Sequence, residues 1–173
     1  VYGQGKKYLS PDEEAFTTIP GGLIGYRPAQ LLVGYKWSLI KDPLWLTGSI
    51  CYDATDLSLV SDLKNISDIF AIPAFNRDVN TFDQMALALH YHMFQYVLVA
   101  NNGTFGGSNA YAPFKEPYDR QIFHLHGQPQ ASIAFMDIEN IGDIIDRVAT
   151  AKTGTTAKKR KHKKHWKYPP AGM

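Results

Sequence analysis

Cys51 is the single cysteine of this 173-residue chain, and it closes an apolar run in the stretch GSICYDATD, residues 48–56. Such a thiol either fills space in a core or, as a thiolate, acts as a nucleophile. The residues around it predict a buried strand ending at the cysteine and a capped helix directly after it. That step sets the sulfur near a helix N-terminus, where the dipole and free amides lower a thiol's pKa. Buried cysteines are common and mostly inert, so the local pattern alone favours packing.

Other groups have the composition for chemistry but not the spacing. His90 and His92 fall in a predicted helix, where residues two apart point to nearly opposite sides and cannot chelate one ion. His124 and His126 share a face of a predicted strand, but two imidazoles without an acid or cysteine do not complete a metal site. No metal and no cofactor is expected. A papain-like pairing of Cys51 with His90 or His92 stays open on sequence grounds. The loop NNGTFGGS lacks the lysine and the glycine spacing of a phosphate-binding motif, so its glycines point to a tight turn or a close backbone approach.

Charge is distributed unevenly. Residues 158–167, KKRKHKKHWK, hold seven of the 18 Lys and Arg, and the chain before them carries 11 basic against 16 acidic side chains. An acidic body with a basic tail over 151–173 is the resulting picture. The tail reads first as a solvated terminus. Its sharper reading is nucleic-acid binding through Lys158, Lys159, Arg160, Lys161, Lys163 and Lys164, with Trp166 and Tyr168 placed to stack on bases.

Positioning any of these groups requires a framework, and the apolar periodicity supplies one. Ser10 and Pro11 open a short helix as N-cap and first helical residue. Residues 29–40 and 44–52 suggest a strand pair across the Asp42–Pro43 turn. From Thr55 or Asp56, a stripe of Leu57, Val60, Leu63 and Ile66 predicts a helix. DIFAIPAF (68–75) and YVLVAN (96–101) read as buried strands around the best helix, 81–95, and two last strands are expected over 121–127 and 130–139. A short terminal helix is expected from Asn140 to Ala149. Alternation of this kind gives an α/β fold with helix-covered sheets, in one domain over 1–150.

Hydrophobic residues at 45% and charged residues at 20% fit a globular chain. One cysteine excludes an internal disulfide and suits a reducing, cytoplasmic compartment. No apolar stretch is long enough to span a bilayer, so a soluble protein without membrane contact is expected.

Several of these segments, in order, carry a resemblance. ICYDATDLSLVSDL followed by SDIFAIPAF resembles the nucleophile region of the nitrilase superfamily, the carbon–nitrogen hydrolases. YVLVANNGTFGGSNAYAP is similar to that family's strand, asparagine and glycine loop near the active site. GQGKKYLSPDEE resembles its lysine segment, with Lys6 and Glu14 at the family's spacing. The agreement covers roughly residues 2–139, in the family's order.

The resemblance implies a four-layer αββα sandwich, a homo-oligomer, and hydrolysis of a small amide or nitrile through a thioester on Cys51. Lys6 and the backbone N–H of Tyr52 would stabilise the oxyanion. Glu14 would support the lysine, and Asn101, Gly107 and Ser108 would line the substrate site. The family's general-base glutamate precedes its lysine segment, so the resemblance places it, with the first strands, upstream of Val1. Where the family has an Arg-Ala…Glu pattern, this chain reads LHYHMFQ, which implies a divergent branch. Nitrilase-like domains of this kind occur fused behind bacterial antiviral-defence reverse transcriptases. Two rival readings follow: a catalytically silent nitrilase-like scaffold of a larger nucleic-acid-handling protein, and a nucleic-acid-binding module centred on the tail.

Overall fold

The computed structural model describes residues 6–17, 46–63, 67–127 and 131–138. The predicted strand 29–40, the basic run and the terminal helix lie outside the described residues. What is described is an α/β arrangement built on a five-stranded mixed sheet in the order β1-β2-β3-β4-β5. The strands are β1 (Leu46–Gly48), β2 (Ile69–Ala74), β3 (Tyr96–Asn101), β4 (Asn109–Tyr111) and β5 (Gln121–His124). β1, β2 and β3 run parallel, and β4 and β5 continue the sheet antiparallel. Three helices accompany them: α1 (Pro11–Thr17), α2 (Leu57–Leu63) and α3 (Val79–Met93).

Alternation along the parallel strands divides two apolar faces. Phe70 and Ile72 of β2 lie beside Val97 and Val99 of β3, all buried, and face α2 and α3. Helix α3 closes this face with Phe82, Ala86, Leu89 and Met93, spaced to form one stripe. Burying each large side chain there contributes about 1.5–3 kcal/mol. The opposite face holds Ile69, Phe94, Tyr96 and Ala112, with Leu98, Phe114, Ile122 and Ile138 partly buried against them. Asp78 caps α3 by accepting the Thr81 N–H at 3.1 Å. The helix ends at Phe94, whose left-handed φ of 55° turns the chain into the cluster on the other face.

Some expectations needed correction. Among the α2 side chains described, Leu59 and Val60 are buried, while Leu57, the first residue of the expected stripe, is 77% exposed; Ile66 lies outside the described residues. SNAY contains the three-residue β4, which was not anticipated. Residues 131–138 form no strand, and Ile133 and Phe135 stand almost fully exposed. Among the described residues, no helix is long and apolar enough to cross a membrane.

Gly48 fixes how closely β1 meets β2. A Cβ there would sit 2.2 Å from the Ala71 carbonyl oxygen, a backbone atom that cannot turn aside. The pairing continues one residue further, with the Ser49 N–H donating to Ala71 O at 3.1 Å. Beyond that point β1 has ended, and Pro73 turns its side without a donor to the vacated edge. Gly48→Ala is therefore expected to destabilise the chain by about 1–3 kcal/mol. Urea unfolding followed by tryptophan fluorescence checks this, and an unchanged midpoint would contradict the close approach.

Candidate functional site

The carboxyl ends of β1, β2 and β3 lie at one edge of the sheet, the edge where α/β proteins bind ligands. Cys51 follows β1 there. Its φ is +51°, one of two positive values at non-glycine residues among those described. A side chain in this region is held at a cost of order 1–3 kcal/mol and persists only where the surroundings impose it. Cys51 opens a 3-10 turn, Cys51–Thr55, closed by Asp53 N–H to Ile50 O and Asp56 N–H to Asp53 O, both at 3.1 Å. The α-helix starts only at Leu57, so a 3-10 turn, not an α-helix N-terminus, follows the sulfur directly. Cys51 is half-buried against the α2–α3 core, and Tyr52 is 54% exposed.

Asp56 caps α2. Its carboxylate accepts the Ser58 N–H at 2.9 Å and the Ser58 hydroxyl at 2.6 Å. Its other oxygen accepts Lys7 Nζ at 2.7 Å and the Tyr8 hydroxyl at 2.8 Å. The Asp53 carboxylate takes a second pair of donors from the same segment: the backbone N–H of Lys7 to Oδ2 and of Tyr8 to Oδ1, each at 2.7 Å. Four hydrogen bonds thus bind residues 7 and 8 to the turn that begins with Cys51.

Lys6, immediately before, is buried, and its ammonium is paired with Glu13. Glu13 also accepts the Ser10 N–H at 2.7 Å, while Ser10 Oγ accepts the Glu13 N–H at 3.4 Å. This reciprocal cap of α1 has the spacing S-x-x-E. Lys6 is thus paired with Glu13; Glu14, one residue on, is exposed. Burial pushes the Glu13 carboxyl up, but the hydrogen bonds from Lys6 and Ser10 outweigh it and hold it low.

On β3, Asn101 acts as a brace. Its amide donates to Asn76 O at 2.9 Å and Gly106 O at 2.7 Å, and its Oδ1 accepts the Asn76 N–H at 2.9 Å. Ser108 Oγ accepts the Asn101 N–H at 3.0 Å. Gly107, at φ +73°, lies where a Cβ would strike Val79 at 2.0 Å. Asn101, Gly107 and Ser108 thus lock the glycine loop to the turn after β2. Phe75 and Phe105 meet edge to face at 5.1 Å on that rim, with Arg77 over the Phe105 ring. A cavity of about 400 Å³ reaches Asn101 and Ser108 from Leu98, Phe123 and Met136, and contains no residue of the Cys51 turn.

Among the described residues, no three His, Cys, Asp or Glu side chains converge as a metal site would need. His90 is buried and stacks on Tyr111 at 5.4 Å, while His92 is exposed, as their helical spacing requires. β5 ends at His124, short of the expected 127, so His126 lies beyond the strand, yet the two imidazole rings lie 3.9 Å apart. Compared with known proteins, the sequence matches no family model and no curated protein.

Glu13, Asp53 and Asp56 belong to this site without being candidates on sequence grounds. For Glu13 a signal existed, in the capping spacing from Ser10. For the two aspartates the partners are remote in the chain, and nothing local announces them.

The Lys7 ammonium, then Ser58 and Tyr8, hold the Asp56 carboxyl well below its ordinary value of 3.8, and Asp56 in turn raises Lys7. A carboxyl held low in the folded chain stabilises it above that ordinary value, and the contribution is lost as pH falls through the folded value. The stability of the wild-type chain is therefore expected to fall more steeply below about pH 4 than that of Asp56→Asn. Urea midpoints measured across that range check it, and parallel curves would contradict the Lys7–Asp56 pairing.

Proposed function

We propose that the chain is a nitrilase-like hydrolase of a non-peptide carbon–nitrogen bond, with Cys51 as nucleophile and Lys6 as oxyanion stabiliser. The αββα sandwich of that family belongs to the same proposal. One observation carries it. Two segments to which the resemblance assigns nucleophile and lysine, 45 residues apart in sequence, are joined by the paired hydrogen bonds of Asp53. The positive φ of Cys51 at the carboxyl edge of a parallel sheet supports the same reading, since such strain gathers at functional sites.

For an amide, the Cys51 thiolate attacks the carbonyl carbon and the C–S bond forms as the oxygen takes the negative charge. The Lys6 ammonium and the Tyr52 N–H are the groups assigned to that oxygen. Collapse breaks the C–N bond, and the thiol's proton leaves with the amine. Water then adds to the thioester, releasing the acid and restoring the thiol. The proton transfers belong to a general base, for which the resemblance implies a glutamate.

The first half of this cycle is measurable with p-nitrophenyl acetate, an activated acyl donor. A burst of p-nitrophenolate and an acetyl group on the Cys51 peptide are expected, both absent from Cys51→Ala. Lys6→Ala is expected to slow the burst by about 10²–10³-fold, the effect of one lost oxyanion donor. Ammonia release from small amides and nitriles then tests the reaction class. A native chain whose Cys51 takes up no acetyl group would overturn the reading.

A further inference from the structure

Asp53 is 2% exposed, and a buried carboxylate is costly unless its oxygens are occupied. It lies in the 3-10 turn just before α2, where an aspartate would ordinarily cap the following helix. Asp56 does that work instead. Both Asp53 oxygens accept the consecutive amides of Lys7 and Tyr8 at 2.7 Å, the length of a charge-assisted bond. Two bonds to adjacent peptide groups fix both the position and the direction of the backbone they hold. Lys6 is the next residue, one Cα–Cα step of about 3.8 Å away. Cys51 is two residues from Asp53 on the other side. The head of Lys6 is set from the far end by Glu13, itself held by the α1 cap.

We propose that Asp53 is a positioning residue that sets the register between Lys6 and Cys51 through the amides of Lys7 and Tyr8, and touches no substrate itself. The inference rests on the hydrolase reading for its consequence, but its geometry stands apart from it. Misplacing a catalytic group by about 1 Å costs up to 10²-fold in rate. In Asp53→Asn an amide of the same shape puts an NH2 against one of the two N–H donors, so one bond is replaced by repulsion. Lys6 then loses its register although the cysteine stays in place.

The full chain is acylated with p-nitrophenyl acetate as wild type, Asp53→Asn, Lys6→Ala and the double variant. Asp53→Asn is expected to lower the acylation rate by about 10–100-fold. In the Lys6→Ala background the same substitution is expected to add nothing, because its effect passes through the lysine. An undiminished rate, or effects that multiply, would overturn the positioning role. Amide exchange provides a readout independent of catalysis. The Lys7 and Tyr8 N–H groups are expected to exchange at least about tenfold faster in Asp53→Asn, with β2 and β3 unchanged. Unchanged protection at both amides would refute the tether. A wild type that is not acylated at all would sink the hydrolase reading, and exchange alone would then decide the tether. If Asp53→Asn does not fold, Tyr8→Pro removes one of the two donors outside the sheet and is expected to act in the same direction on both measurements.

Discussion

One buried carboxylate joins two segments of the described fold that are 45 residues apart in sequence. The two oxygens of Asp53 accept consecutive backbone N–H groups directly after Lys6. With them, residues 7 and 8 are anchored beside the turn of Cys51. Asp56 doubles the anchor through side chains while capping α2, so the same turn holds its own helix and a remote strand of chain. Backbone amides as partners make the contact independent of which side chains occupy positions 7 and 8. Only a proline there would abolish a donor.

The strained conformation of Cys51 depends on what surrounds it. Gly48 brings β1 against β2 more closely than any side chain allows, and Ser49 extends the pairing to the edge of the turn. Ile50 is still extended, at φ −99° and ψ 111°, and the turn bonds begin at once after it. The chain reverses within a residue, and Cys51 takes the positive φ that the reversal demands. On the neighbouring strands, Asn101 and Ser108 tie down the loops that border the same edge. Those side chains are engaged with backbone, which makes them the frame of the site.

Elements whose apolar pattern is continuous were readable from sequence. β3 occupies the expected residues 96–101, and β2 and α3 differ from expectation by a residue or two at their ends. Their residues are buried in the sheet and the helix stripe, so local pattern and tertiary environment agree. β4 is three residues long and pairs only through antiparallel neighbours, leaving no periodicity to detect. Over 131–138 the apolar residues suggested a strand, yet Phe135 is 96% exposed and no ladder forms. Cys51 was visible as a candidate because its flanks announce a strand and a cap. Asp53 was visible as a residue and invisible as an anchor, since its donors lie 45 and 46 residues away. The resemblance points to Glu14, and the capping geometry of Ser10 brings Glu13, which no reading of the spacing singled out, to the lysine.

That the Lys6 segment lies against the Cys51 turn is the claim on which the site depends. A short heterobifunctional reagent tests it most directly, with a haloacetyl group for the thiol and an amine-reactive ester one carbon away. After reaction of the native chain and proteolysis, the account predicts linked peptides joining Cys51 to Lys6 or Lys7. Cys51 carrying the reagent but linked only to lysines elsewhere in the chain, or to none, would contradict it.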